Sequence, residues 1–261
     1  MARRSAFTVG GAALFLVALP VLAQRPAQAY VPAHLADGSP DLNGIWQAPV
    51  GIDKSLELKS GRKSIIVDPA DGKIPYLPEA RRRRLENKKT AASADPMHKC
   101  FMPGVPRLMY AAYPFQIAQG PAQLAILSEY VRTVRHIYLG RQKHLADIEF
   151  WMGDSIAHWD GDTLVVDTAN LNDQTWLDSS GDYHSDALHV IERFTRTSPD
   201  SISYEATIED PKVFARPWKI RFPLLQHKEK NFQVMEYECY AQREGPTVTV
   251  GDKPDPHREG Q

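Results

Sequence analysis

Glu192 and His184 are the residues of this chain whose types and spacing best suit acid/base chemistry. Both lie in HSDALHVIERF, residues 184–194, where apolar and polar side chains alternate after a short polar start. If residues 188–194 form a strand, successive side chains point to opposite faces. One face then carries Leu188, Val190, Glu192 and Phe194. A carboxylate held among apolar side chains is a setting in which enzymes place a general acid or base.

From this pattern we predict that Glu192 is the catalytic base and that His184, which precedes the strand, is a proton relay. The ordinary pKa of histidine, about 6.5, lets the ring exchange protons near neutral pH. Two plainer interpretations stay open. Glu192 is also compatible with pairing to a neighbouring arginine or with a strand end in water, and His184 with a turn that it stabilises.

Four further residues suit the binding of a substrate, namely Tyr130, Arg135, Tyr138 and Trp176. The two tyrosines and Arg135 lie in a predicted strand pair, where the guanidinium would hold an anionic or phenolic group. Trp176 lies in a loop, LNDQTWLD, that would cover the mouth of a barrel. The alternatives are cross-strand pairing at the surface and a turn with a buried tryptophan. The expected partner is a small apolar or aromatic molecule.

A metal site is a less favoured possibility, with His136, His144 and His184 as its ligands. Histidines with nearby carboxylates suit zinc, iron or copper. However, the sequence has no CxxC, HExxH, GxSxG, GxGxxG or P-loop motif. We therefore expect no metal and no other cofactor.

Short runs rich in β-branched and aromatic residues dominate the chain from residue 115 onward and predict strands. We expect about nine or ten strands, the last at residues 232–240. Asp160 and Gly161 predict a hairpin turn in which Trp159 faces Asp162. LPEARRRRLENKKTAA, residues 77–92, predicts one helix.

The absence of a βαβ rhythm favours an antiparallel sheet, closed as a single β-barrel or folded as a barrel-like sandwich. We expect this mainly β domain to span residues 30–244. Residues 245–261, rich in proline, glycine and charge, predict a disordered tail.

Residues 1–29 predict a secretory signal peptide, because a basic start and an apolar run precede a small-residue cleavage site, AQA. A membrane anchor is the alternative, but the run is short and broken by Pro20. After cleavage the mature chain keeps 28 basic and 32 acidic residues, a net charge of −4, since the segment removes Arg3, Arg4 and Arg25 from 31 basic residues. We therefore expect a periplasmic or secreted protein, without stable membrane insertion and without a nucleic-acid partner.

Cys100 and Cys239 are the two cysteines of the sequence. In an exported protein they permit a disulfide, with two buried free thiols as the alternative.

Several segments resemble a large family of exported bacterial proteins to which no activity is assigned. They are PDLNGIW, CFMPGVPR, YPFQIAQ, GDSIAHWDGDTLVVDTANLNDQTWLD, HSDALHVIERF and DPKVFARPW. Proteins of this kind usually carry Asp-Gly-Arg-x-His-Pro at a hairpin tip, where this chain has GRQKHLAD, so no role for His144 follows from the resemblance. GIW at residues 44–46 is similar to the Gly-x-Trp start of lipocalin and calycin barrels, which favours a barrel over a sandwich.

Together these patterns predict an exported enzyme that performs cofactor-free acid/base chemistry on a fairly apolar molecule in a barrel cavity. A lyase, isomerase, cyclase or hydrolase reaction would fit. A carrier that binds a hydrophobic ligand without chemistry is the first alternative, and a metal-dependent enzyme is the second.

Overall fold

The computed structural model describes residues 30–57 and 64–240 of the chain. The predicted signal peptide and the predicted tail lie outside these residues. The described part contains one α-helix, α1 (Pro78–Ala94), and ten strands. The strands are β1 (Gly44–Gln47), β2 (Ile66–Asp68), β3 (Phe115–Gln119), β4 (Gln123–Ser128), β5 (Val134–Leu139), β6 (Asp154–Asp160), β7 (Thr163–Ala169), β8 (His189–Ser198), β9 (Ser201–Glu209) and β10 (Trp218–Gln226).

Nine of these strands close into a barrel, which confirms the predicted fold class. The order is β1, then β3 to β10 in sequence, and β10 pairs back with β1. β2 pairs with β10 at Lys219 and Ile220, and β1 pairs with the same edge of β10 further along the strand, at Leu225 and Gln226. Closure leaves the nine barrel strands paired on both sides.

Large side chains fill the interior of the barrel because each strand turns alternate residues inward. Trp46, Phe115 and Tyr204 are fully buried there, and they belong to one continuous hydrophobic core. The guanidinium of Arg196 lies over the Trp46 ring, 5.3 Å from its centre. The core is therefore a packed interior rather than a wide ligand-binding lumen.

β5 and β6 form the one parallel pair among the strands described, with Ile137 opposite Ser155. All other pairs of neighbouring strands are antiparallel. A parallel connection must bring the chain back to the end where the first strand began. Residues 140–153, which we call the crossover, make this return. The hairpin tip expected from GRQKHLAD is therefore wrong.

Two other local predictions differ from the structure. Trp159 pairs with Leu164 rather than with Asp162, because the central turn residues are Gly161 and Asp162. Gly161 has φ of +56°, as the first central residue of a type II′ turn requires. Residues 232–240 form no strand and make a single bridge, between Tyr237 and Tyr130.

Buried ion pairs hold segments of the N-terminal half together and attach α1 to the connection between β7 and β8. Arg107 is fully buried and donates to Asp95 at 2.7 Å and to Asp53 at 2.6 Å. From α1, Arg84 donates to the buried Asp182 at 2.8 Å. The helix thus docks through charged groups, and few of its side chains enter the core.

Asp178 and Asp182 are buried side by side, and Ser180 Oγ lies 3.0 Å and 3.1 Å from their nearest carboxylate oxygens. Burial and the negative charge of Asp182 raise the pKa of Asp178 well above its ordinary value. Burial opposes ionisation of Asp182 too, but hydrogen bonds from Asp178, Arg84 and Tyr76 outweigh it and lower the pKa of Asp182. The pair therefore shares one proton between the lowered pKa and the raised one.

Cys100 and Cys239 form the predicted disulfide, which ties residues 232–240 to the segment that precedes β3. In the part of the chain that the structure describes, no helix has the length and apolar character needed to cross a membrane.

Candidate functional site

A cavity of about 390 Å³ lies between the outer face of β5 and the crossover. The strand contributes its outward side chains, Val134, His136 and Tyr138, and the crossover covers them. Most of the remaining lining comes from the crossover itself: Arg141, Leu145, Glu149, Phe150, Trp151, Met152 and Gly153. The walls are mainly apolar and aromatic, and the volume is within the range of small-molecule sites.

The floor of the cavity reaches through the barrel wall to Arg135 and Ser155. Arg135 points inward and is fully buried. Its Nε donates to Ser155 Oγ at 3.2 Å, and one terminal nitrogen donates to Thr168 Oγ1 at 2.8 Å. The polar floor is therefore bonded to the barrel interior rather than open toward a ligand.

Glu192 is the counterion of Arg135, with both carboxylate oxygens bonded to the guanidinium. One of these oxygens also accepts the Tyr204 hydroxyl at 2.9 Å. Arg135, Ser155, Thr168, Glu192 and Tyr204 come from five successive strands, β5 to β9, and form a polar band across the interior. Burial first and the negative charge of Glu192 second raise the pKa of Tyr204 well above its ordinary value, so the Tyr204 hydroxyl is neutral and donates.

The predicted inward orientation of Glu192 is correct, since Leu188, Val190, Glu192 and Phe194 are all buried. The predicted role as catalytic base fits the geometry less well. The carboxylate does not line the cavity, and it is paired with an arginine, which is the alternative that the sequence left open. A general base needs a lone pair within reach of the substrate, and here Arg135 and Tyr204 hold both oxygens.

His184 is fully buried and makes two hydrogen bonds. Its Nδ1 lies 2.9 Å from the carbonyl oxygen of Ser185, and its Nε2 lies 2.6 Å from Thr175 Oγ1. The ring donates from Nδ1, so Nε2 accepts the threonine hydroxyl. Burial lowers the pKa of His184 and favours the neutral ring. Among the hydrogen bonds of the described residues, none joins His184 to Glu192, so the predicted proton relay between them is not assembled.

Of the predicted substrate-binding residues, Arg135 and Tyr138 line the cavity. Tyr130 lies elsewhere: its hydroxyl donates to the Met97 carbonyl at 2.5 Å, and its ring packs against Tyr237. Trp176 packs against the core and pairs with Tyr183, so it does not cover the cavity.

Asp154, at the first position of β6, holds the crossover against the barrel. Its nearly buried carboxylate accepts from Arg141, from the Leu145 backbone N–H at 2.9 Å, and from His144 Nδ1 at 3.3 Å. Burial raises the pKa of Asp154, but these hydrogen bonds outweigh burial and the net effect lowers it. The carboxylate is therefore ionised, and its charge offsets that of Arg141.

The predicted metal ligands are not assembled into a site. His184 is buried in the core, His136 lies on the outer face of β5, and His144 bonds to Asp154 and Asp167. Within residues 30–57 and 64–240, no group of three or more His, Cys, Asp or Glu side chains is arranged to hold a metal ion.

Sequence reasoning missed two kinds of residue. Thr168 and Tyr204 carried a usable signal, because each shares a strand face with apolar residues, as Glu192 does. The crossover residues Phe150 and Trp151 carried none, since their place over β5 depends on the parallel pairing of β5 and β6.

No family model and no curated protein matches this chain. The function is therefore argued from the site, and the resemblance to exported bacterial proteins stays a prediction.

Proposed function

We propose that this protein binds a small, neutral and largely apolar or aromatic molecule in the cavity under the crossover. One observation carries the proposal: the cavity has apolar walls, while its charged floor is already bonded within the protein. Val134, Phe150, Trp151 and Met152 offer apolar contact, whose burial drives association at roughly 25 cal/mol per Å². Arg135 has its counterion inside the barrel, so the ligand need not supply one.

The charges around the cavity favour a neutral ligand. Arg135 is balanced by Glu192, and Arg141 is balanced by Asp154. Of the remaining lining residues, Glu149 is exposed and makes no ion pair within the described residues. An anionic ligand would thus meet no uncompensated arginine, and it would be repelled by Glu149 at the rim.

Binding without chemistry is the better supported of the two main hypotheses. The acid/base enzyme requires Glu192 and His184 to exchange protons with a substrate. Each is buried and hydrogen-bonded within the protein, and neither lines the cavity. The proposal therefore takes the carrier alternative and places its ligand outside the barrel wall rather than in the lumen.

We further propose that the protein acts outside the cytoplasm. The Cys100–Cys239 disulfide supports this location, because such bonds form and persist in oxidising compartments.

Titration with the neutral fluorophore N-phenyl-1-naphthylamine tests the binding proposal. We expect a fluorescence increase with a Kd between about 1 and 100 µM, as buried apolar ligands of this size give. Val134→Glu places a carboxylate on the outer face of β5 inside the cavity. Because burying an unpaired charge is costly, we expect this variant to bind about tenfold more weakly or worse.

Leu225→Glu is the matched control. Leu225 is 50% exposed and Val134 is 43% exposed, and Leu225 does not line the cavity. This variant should bind as the unmodified protein does. Equal affinity of the Val134→Glu variant and the unmodified protein would show that the fluorophore does not bind in this cavity, and it would refute the proposal.

A further inference from the structure

The first part of the crossover, residues 141–149, has the attachments of a movable cover, and we call it the flap. Residues 142, 143 and 145–149 are exposed, so the flap has little of its own core. The second part, residues 150–153, is fixed: the Phe150 N–H donates to the Asn170 carbonyl at 2.8 Å, and Met152 is buried. Segments with few buried contacts open at low free-energy cost while their anchored neighbours stay in place.

Two glycines bound the crossover and differ in the space around them. Gly140 has φ of +75°, and an added Cβ would meet no atom within 4 Å. Gly153 has φ of +68°, and its Cβ would lie 2.6 Å from Thr168 Cγ2. Gly140 therefore has open space where the flap leaves β5, and its N–H donates a long hydrogen bond, 3.4 Å, to the Ala157 carbonyl, whereas Gly153 is packed against the barrel.

The flap is held closed mainly by polar contacts at one point. Asp154 receives the three donors of Arg141, His144 and Leu145 described above. His144 extends the contact through Nε2 to Asp167 at 3.0 Å, and the Asn170 amide donates to the Leu145 carbonyl at 2.6 Å. Breaking the contacts at Asp154 would leave the flap hydrogen-bonded through the His144–Asp167 and Leu145–Asn170 contacts.

The closed flap covers the cavity. Arg141, Leu145 and Glu149 belong to the flap and also line the cavity, facing the outward residues of β5. A ligand that enters between the flap and β5 must displace these side chains. We propose that the flap is a gate over the binding cavity and that Asp154 is its latch.

This inference rests on the proposed function, because a gate has meaning only if the cavity takes a ligand. In a gated site the latch limits both entry and exit, so weakening it raises the association and dissociation rate constants together. A residue that only contacts the ligand changes mainly the dissociation rate. The two rate constants therefore separate a latch from a ligand contact, which matters because Asp154 also lines the cavity.

Stopped-flow binding of N-phenyl-1-naphthylamine to the full chain tests the gate. With Asp154→Asn, the amide replaces a charged acceptor that holds three donors, and we expect both rate constants to rise by about tenfold, the effect of losing one charge-assisted hydrogen bond. Hydrogen exchange of the Leu145 amide should accelerate as well. Asp160→Asn is the control, since Asp160 lies in the same strand and pairs with Arg193 on the barrel exterior.

A second variant keeps the test valid if Asp154→Asn does not fold. His144→Ala removes the bridge between Asp154 and Asp167, and it should raise both rate constants in the same direction. Unchanged rate constants in both variants, or a change confined to dissociation, would overturn the gate while leaving the binding cavity intact. Absence of binding to the unmodified protein would instead overturn the proposed function, and the gate with it.

Discussion

Arg135 and Glu192 should contribute to stability as a unit, and a double-mutant cycle measures this. Both side chains are at most 1% exposed, so replacing Glu192 by leucine leaves a buried guanidinium without its counterion. Breaking a buried ion pair in this way typically costs about 3–5 kcal/mol. Arg135→Met should cost a similar amount, because the Glu192 carboxylate would keep only the hydroxyls of Tyr204 and Thr168.

The double variant should lose less than either single one. The double variant removes both charges. Its remaining loss of unfolding free energy, about 2–3 kcal/mol, comes from the Tyr204 and Thr168 hydroxyls, which lose Glu192 as their acceptor. With two singles of about 3–5 kcal/mol, the coupling energy should exceed about 3 kcal/mol. The free energy of unfolding of all four proteins, from urea titration followed by circular dichroism, gives this value.

Arg193 and Asp160 provide the matched control cycle on the outer face of the barrel. Their side chains are 41% and 61% exposed, and the ion pair measures 2.8 Å. Exposed pairs of this kind contribute at most about 1 kcal/mol. If the inner pair gave a coupling as small as the outer one, or if Glu192→Leu were as stable as the unmodified chain, the interior band would not be a structural unit.

Three more perturbations test the buried aspartate pair and the disulfide. Between the ordinary pKa of an aspartate and the raised pKa of Asp178, the folded state holds a proton that the unfolded chain releases, so stability falls as pH rises through this window. Asp178→Asn should remove this loss, so that the free energy of unfolding depends less steeply on pH. Equal pH profiles of the unmodified chain and the Asp178→Asn variant would contradict the shared proton. Asp182→Asn should destabilise the fold by about 3 kcal/mol, because Arg84 loses its buried partner. Reduction of the disulfide, or the double substitution Cys100→Ser and Cys239→Ser, should lower the free energy of unfolding by about 2–4 kcal/mol. The reason is that the disulfide closes a loop with a sequence separation of 139 residues. A melting temperature unaffected by reductant would contradict this prediction.

Local patterns predicted the parts of the fold that depend on local physics. The helix of residues 77–92 corresponds to α1, since it begins with a proline at its first turn and has no breaker inside. Strand alternation placed Glu192 inside correctly, and the same rule applied to Thr168 and Tyr204 would have outlined the polar band. The disulfide was predicted because the chain has two cysteines and its first residues predict export.

The site itself depends on which strands become neighbours, and no local pattern encodes that. The hairpin tip at GRQKHLAD was expected only from the resemblance to exported bacterial proteins, and the aromatic residues of the crossover had no predicted place. His184 was expected to be a proton relay just before the strand, where polar residues usually form loops. The structure buries it, since Thr175 supplies the hydrogen bond that a neutral ring requires.

The closed barrel contains nine strands, and an odd number has a geometric consequence. Around a ring in which every neighbour ran antiparallel, strand directions would alternate up and down, and the ring would close only with an even count. Nine strands therefore force two neighbours to point the same way, and here these are β5 and β6. The chain must then return along the outside of the wall, and this return forms the roof of the cavity. A relative with one barrel strand more or fewer could close without a crossover and would have no such cavity, so the odd strand count and the cavity of the proposed ligand are linked in this fold.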